Sequence, residues 1–125
     1  MRKTAAISLL LILYGCSKSD PSINIEIEIE SPDKEFLAQA VKYNYDATVP
    51  FSYRVFIHEK KEDIDYLGDN EIMIVDSIEN LSINWIDNKT LQINCTNGRI
   101  YKFNNFFYIN DYNIKINLDT KCPIQ

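Results

Sequence analysis

Ile23, Ile25, Ile27 and Ile29 alternate without a break with Asn24, Glu26, Glu28 and Glu30. Successive side chains of an extended chain point to opposite sides, so this register puts isoleucines on one face and polar groups on the other. A helix, with its period of 3.6, would scatter both sets around its axis. The segment is therefore committed to a half-buried strand. Its glutamates discourage pairing with other molecules should the strand lie at an edge. The same period returns in Phe51, Tyr53, Val55 and Ile57, and in Ile83 and Trp85 beside Ser82 and Asn84. It returns again in Leu91, Ile93 and Cys95, and in Tyr112, Ile114, Ile116 and Leu118 around Asn113, Lys115 and Asn117.

Turn chemistry separates these runs. Ser31-Pro32-Asp33-Lys34 is a turn, because proline presets φ and aspartate hydrogen-bonds the local backbone. Asp87-Asn88-Lys89, Asn104-Asn105 and Asn110-Asp111 punctuate the later strands, and Asn97-Gly98 is the strongest hairpin signal, since both residues tolerate positive φ. Residues 71–75, 99–103 and 106–109 supply further short strands. Residues 35–43 carry Phe36, Leu37, Ala38, Ala40 and Val41, where periodicity does not separate a buried strand from a short helix. The loop at 46–50 and the alternating run after it favour a strand. Residues 58–70 form the longest polar connection, with Ile64, Tyr66 and Leu67 available to tuck it onto the body. Five short strands from Leu81 onward, rich in isoleucine and tyrosine, predict an all-β domain: a single antiparallel β-meander forming a small sandwich or partly open barrel. A chain of 125 residues has room for one such domain.

The first residues are of another kind. Arg2 and Lys3 precede an apolar stretch from Ala5 to Leu13 broken only by Ser8, and an abrupt polar shift follows at Ser17. A basic start, a short apolar run and a small residue before the cut mark an export signal. The run is too short to span a hydrocarbon core of ~30 Å, which takes roughly 20 helical residues. Leu13-Tyr14-Gly15-Cys16 resembles the lipobox of bacterial lipoproteins, with Tyr14 bulkier than the residue usual there. The resemblance implies a signal peptide over residues 1–15, a lipidated Cys16, a short tether over 16–22 and a β domain over 23–125. Two or three acyl chains give the stable anchoring that one chain does not. Ser17, rather than Asp, after the cysteine implies the outer membrane, facing the periplasm, over the inner membrane.

Loss of the two cations Arg2 and Lys3 would take the net charge from −5 to −7. Such an acidic chain, with a pI near 4.8, is a poor ligand for nucleic acid, whose binding rests on basic patches. Of the three cysteines, a lipidated Cys16 leaves Cys95 and Cys122 as an even pair in an oxidising compartment, which points to a disulfide. Closing that loop would contribute about 3–4 kcal/mol.

Ser31-Pro32-Asp33-Lys34 with its following strand also resembles the SPDGK-type turn that opens blades of β-propeller proteins. It is similar, too, to the opening of a family of small uncharacterised bacterial proteins, whose second recurring stretch is matched by Ile83-Asn84-Trp85-Ile86-Asp87-Asn88-Lys89-Thr90-Leu91. The resemblance covers residues 31–118 and implies a β-meander. It implies no activity.

Chemistry-bearing residues are sparse. The single histidine, His58, stands beside Glu59 without a nucleophile placed by any motif. Asp63, Asp65 and Asp69 hint at calcium but lack the glycine and distal glutamate of an EF-hand-like loop. Gly68 and Gly98 are the only glycines beyond the signal segment, too few for a phosphate-cradling loop. No cofactor or metal is implied. Tyr101, Phe103, Phe106, Phe107, Tyr108 and Tyr112 crowd into one stretch, where Phe106 and Tyr108 would face one way and Phe107 and Ile109 the other. Phe106, Phe107 and Tyr108 are accordingly the candidate interface for an envelope protein. The reading is a non-enzymatic, membrane-anchored binding module, an immunity-type inhibitor being one version. A structural or assembly lipoprotein is the alternative, and a hydrolase using Asp63 and Asp65 the third.

Overall fold

The alternating runs become strands in the computed structural model, which describes residues 20–45, 50–109, 111–119 and 121. The signal segment, Cys16 and Cys122 lie outside the described residues. Among the described residues nine strands follow in order: β1 (Ser22–Glu30), β2 (Phe36–Asn44), β3 (Ser52–Glu59), β4 (Met73–Asp76), β5 (Asn80–Asp87), β6 (Thr90–Thr96), β7 (Arg99–Phe103), β8 (Phe106–Ile109) and β9 (Tyr112–Leu118). No helix occurs among the described residues. The first sheet has the order β1-β2-β3-β4-β7 and the second β5-β6-β9-β8. Their inner faces meet in one core, to which Phe36, Ala38, Val55, Ile57, Met73 and Ile100 come from the first sheet. Ile83, Leu91, Ile93, Ile114 and Ile116 come from the second. Each fully buried aliphatic side chain of this kind contributes about 1.5–3 kcal/mol. The expected all-β sandwich forms, and residues 36–44 are strand rather than helix.

The connectivity is richer than a single antiparallel meander. Asn88-Lys89 closes the β5–β6 hairpin, with Asp87 opposite Thr90. β8 and β9 form the second hairpin, with Ile109 opposite Tyr112 and Asp111 at a φ of 65°. Asn97 likewise takes a φ of 53°. Yet Asn97-Gly98 closes no hairpin, for β6 and β7 belong to different sheets. The chain crosses between sheets there and again at Asn104-Asn105, and β6 then pairs with β9 in parallel. The local signature of a turn marks where the chain changes direction. Whether it leads to the next strand or to the facing sheet depends on which apolar faces close the core.

Two departures from simple alternation shape the first sheet. A bulge between Ile25 and Ile27 shifts the register of β1, so that Ile23 and Ile25 stand opposite Tyr43 and Val41, whereas Ile27 and Ile29 stand opposite Ala40 and Ala38. A one-residue slip moves side chains to the other face. The four isoleucines expected on one face are thereby divided between the two. β2 is buried on both faces: Phe36, Ala38 and Ala40 enter the sandwich core. Val41 and Tyr43 join Phe56 in a second cluster on the outside, under Ile64 and Tyr66. The segment carrying Ile64 and Tyr66 therefore lies as a strap over the outer face of the first sheet, and the chain returns to the sandwich core at Ile72. Leu67, expected in the same contact, is 55% exposed.

The two stretches singled out by resemblance come together at one end of the sandwich. The Asp33 amide donates to Asn88 Oδ1 at 2.9 Å, and Trp85 Nε1 donates to the Ile29 carbonyl at 3.0 Å. These bonds tie the β1–β2 turn to the β5–β6 hairpin. Asp33 also accepts from Ser31 Oγ at 2.6 Å, which with the Glu35 amide holds its carboxyl below the usual range.

Candidate functional site

The strap hides a polar network. Tyr43 donates its hydroxyl to the Tyr66 carbonyl, and the Tyr66 hydroxyl donates to Gln39 Oε1 at 2.8 Å. Gln39 Nε2 in turn donates to Glu28 Oε2 at 2.9 Å. At the far end of the strap Glu71, only 3% exposed, lies 3.2 Å from Lys102 Nζ and 3.6 Å from Arg54 Nη1. The Arg54 guanidinium sits 4.4 Å from the centre of the Tyr43 ring and donates to the Tyr45 hydroxyl at 3.2 Å. Burial pushes the Tyr43 phenol up to about 12. A buried carboxylate between two cations fastens the strap to β3 and β7. Glu71 was not legible beforehand, because a lone glutamate at the start of a short strand reads as solvent-facing.

The second sheet presents a different outer face. The pairings put Asn80, Ser82 and Asn84 of β5 beside Thr96, Asn94 and Gln92 of β6. Gln92 and Thr90 stand beside Asn117 and Lys115 of β9, and Lys115 and Asn113 beside Phe106 and Tyr108 of β8. None of these residues carries a carboxylate, although the chain holds 18 Asp and Glu. Lys115 is the one charge among them. The Gln92 amide donates to Asn94 Oδ1 at 3.2 Å and to the Ile93 carbonyl at 3.3 Å. At the end of β8, Gln92, Phe103, Asn105, Phe106, Lys115 and Asn117 border an open groove of about 580 Å³, floored by Ile116 and Leu118.

The candidate interface divides as the strand geometry requires. Phe106 is 53% and Tyr108 71% exposed on edge strand β8. Phe107 points inward and packs against the core, so it belongs to the fold and leaves the exposed set. Tyr112, also in the aromatic stretch, meets Phe36 edge to face at 5.7 Å.

The remaining candidates resolve into structural roles. His58 is not a surface residue: it is buried at the end of β3, and its Nδ1 donates to the Glu59 carbonyl at 2.7 Å. Asp63 and Asp65 are exposed. Asp65 Oδ1 accepts from the Leu67 amide at 3.0 Å, forming a turn within the strap. Among the described residues no three His, Cys, Asp or Glu side chains converge on a common point. Cys95 is buried on the inward face of β6 and is not a free thiol. Against known proteins, the chain matches no protein-family model, no curated protein and no solved structure.

Proposed function

We propose that this chain is a lipid-anchored, non-enzymatic binding module of the bacterial envelope, held at Cys16 on the periplasmic side of the outer membrane. Its contact surface is the outer face of the second sheet. The observation that carries the reading is the exposure of Phe106 and Tyr108 at 53% and 71%. They stand on an edge strand, beside a face made mainly of carboxamides and hydroxyls. Monomeric domains seldom leave adjacent large rings in water without a partner for them. On the first sheet Ile64 and Tyr66 of the strap cover Val41, Tyr43 and Phe56, and the exposed Ile25 and Tyr101 stand apart on opposite edge strands.

The anchor and the surface are tested separately. Mass spectrometry of the mature protein should find an N-terminal diacylglyceryl Cys16; an unmodified Cys16 or an intact Met1 would remove the anchor. Cross-linking in intact cells, followed by pull-down, should capture an envelope component with the unaltered chain and lose it with Phe106→Ser/Tyr108→Ser. Equal capture by both chains would remove the surface. A Cys95–Cys122 disulfide completes the proposal, and two titratable thiols in the denatured, unreduced mature chain would refute it.

A further inference from the structure

Resting on the binding-module reading, we infer that the outer face of the second sheet is a binding site for an uncharged, polyhydroxylated glycan chain, laid across Gln92, Asn94 and Asn117 and ending against Phe106 and Tyr108. The face combines two chemistries that suit such a ligand. Carboxamides both donate and accept, and so do sugar hydroxyls, so each amide finds a partner whichever way the hydroxyl turns. The Gln92–Asn94 bond at 3.2 Å orients two of these amides before any ligand arrives, leaving the Gln92 oxygen as an acceptor. Exposed rings supply a flat apolar surface for the C–H face of a sugar. The groove of about 580 Å³ between Gln92, Asn117 and Phe106 gives one sugar unit a recess.

Charge selects the class. A face whose charges are Lys115 and, at its border, Asp87 opposite Thr90, on a chain of net charge −5, neither repels a neutral polymer nor offers the cationic cluster that an acidic one would need. A protein partner is disfavoured by the same arrangement. A footprint of roughly 800 Å² per partner would place the amides at its centre and the rings at its rim, the reverse of an apolar-centred interface.

The test is affinity electrophoresis of the folded domain through gels containing hydroxyethylcellulose, xyloglucan, galactomannan or laminarin, with polygalacturonate as the anionic comparison. At least one neutral polymer should retard the domain, and polygalacturonate should not. Tyr108→Ala should weaken retardation about three- to tenfold, and Gln92→Ala/Asn117→Ala about tenfold or more, with melting temperatures unchanged. Retardation that survives both variants overturns the assigned site. No retardation by any neutral polymer overturns the glycan. If cross-linking to a protein through Phe106 and Tyr108 then persists, the binding module stands with a protein as its partner; if that is lost too, both readings fall.

Discussion

The two outer faces of the sandwich have similar raw material and opposite fates. Both carry aromatic rings and polar side chains on regular strands. On the first sheet, Ile64 and Tyr66 of the strap fold back over Val41, Tyr43 and Phe56, and the polar groups beneath are spent on one another. On the second, no described segment returns over Gln92, Asn94 and Asn117, and Tyr108 stands 71% exposed. The difference teaches where to look for activity. Polar groups that satisfy one another under a cover stabilise the fold, whereas those left facing water remain free to bind.

That contrast is sharpest at Glu71. Glu71→Ala leaves Arg54 and Lys102 facing each other under the strap, and removing one partner from a buried ion pair costs about 3 kcal/mol or more. Thermal unfolding should show a fall in melting temperature on the order of 10–20 °C. A change of a degree or two would mean that the carboxylate is not the fastening it is taken to be. Tyr66→Ala should cost somewhat less, about 2 kcal/mol, through loss of its edge contact with Phe56 at 5.5 Å and its bond to Gln39. Hydrogen exchange should then rise at the amides of residues 60–72 and stay unchanged in β5, β6 and β9; exchange rising equally in both sheets would break the comparison.

Alkaline pH probes the same covered face. Burial raises the Tyr43 phenol from 10 to about 12, so the folded state holds this proton after the unfolded chain has released it. Its contribution is complete below pH 10 and is lost as pH rises from 10 to about 12. Melting temperature should therefore decline across that window, and Tyr43→Phe should decline less steeply. The smallest effect belongs to the open face: Asn84→Ala or Tyr108→Ala should shift stability by no more than about 0.5 kcal/mol. A larger loss at either would mean that this face is packed rather than presented.

Much of this was readable from the residues. The runs at 23–30, 82–85, 91–95 and 112–118 alternate strictly and each is a strand; in the last three the apolar residues face predominantly inward. Strand geometry also placed Phe106 and Tyr108 on one side and Phe107 on the other. The candidate surface was legible only in pieces, since Asn84, Gln92 and Asn117 are far apart in the chain. They become neighbours only through the β5–β6–β9 order, in which β6 and β9 pair in parallel.

By itself, then, the sequence determined that the chain is all-β, where most strands begin and end, and which side of the second sheet is apolar. These follow from period-two geometry, a property of neighbouring residues alone. Tertiary structure decided the rest: the bulge that sends Ile23 and Ile25 to one face and Ile27 and Ile29 to the other, the strap that buries β2 on both sides, and the crossing at Asn97-Gly98 in place of a hairpin. It also buried Glu71 between two cations and gathered an amide-rich face from four strands. Each of these depends on which distant segment supplies the other half of a contact, and a local pattern carries no record of its partner.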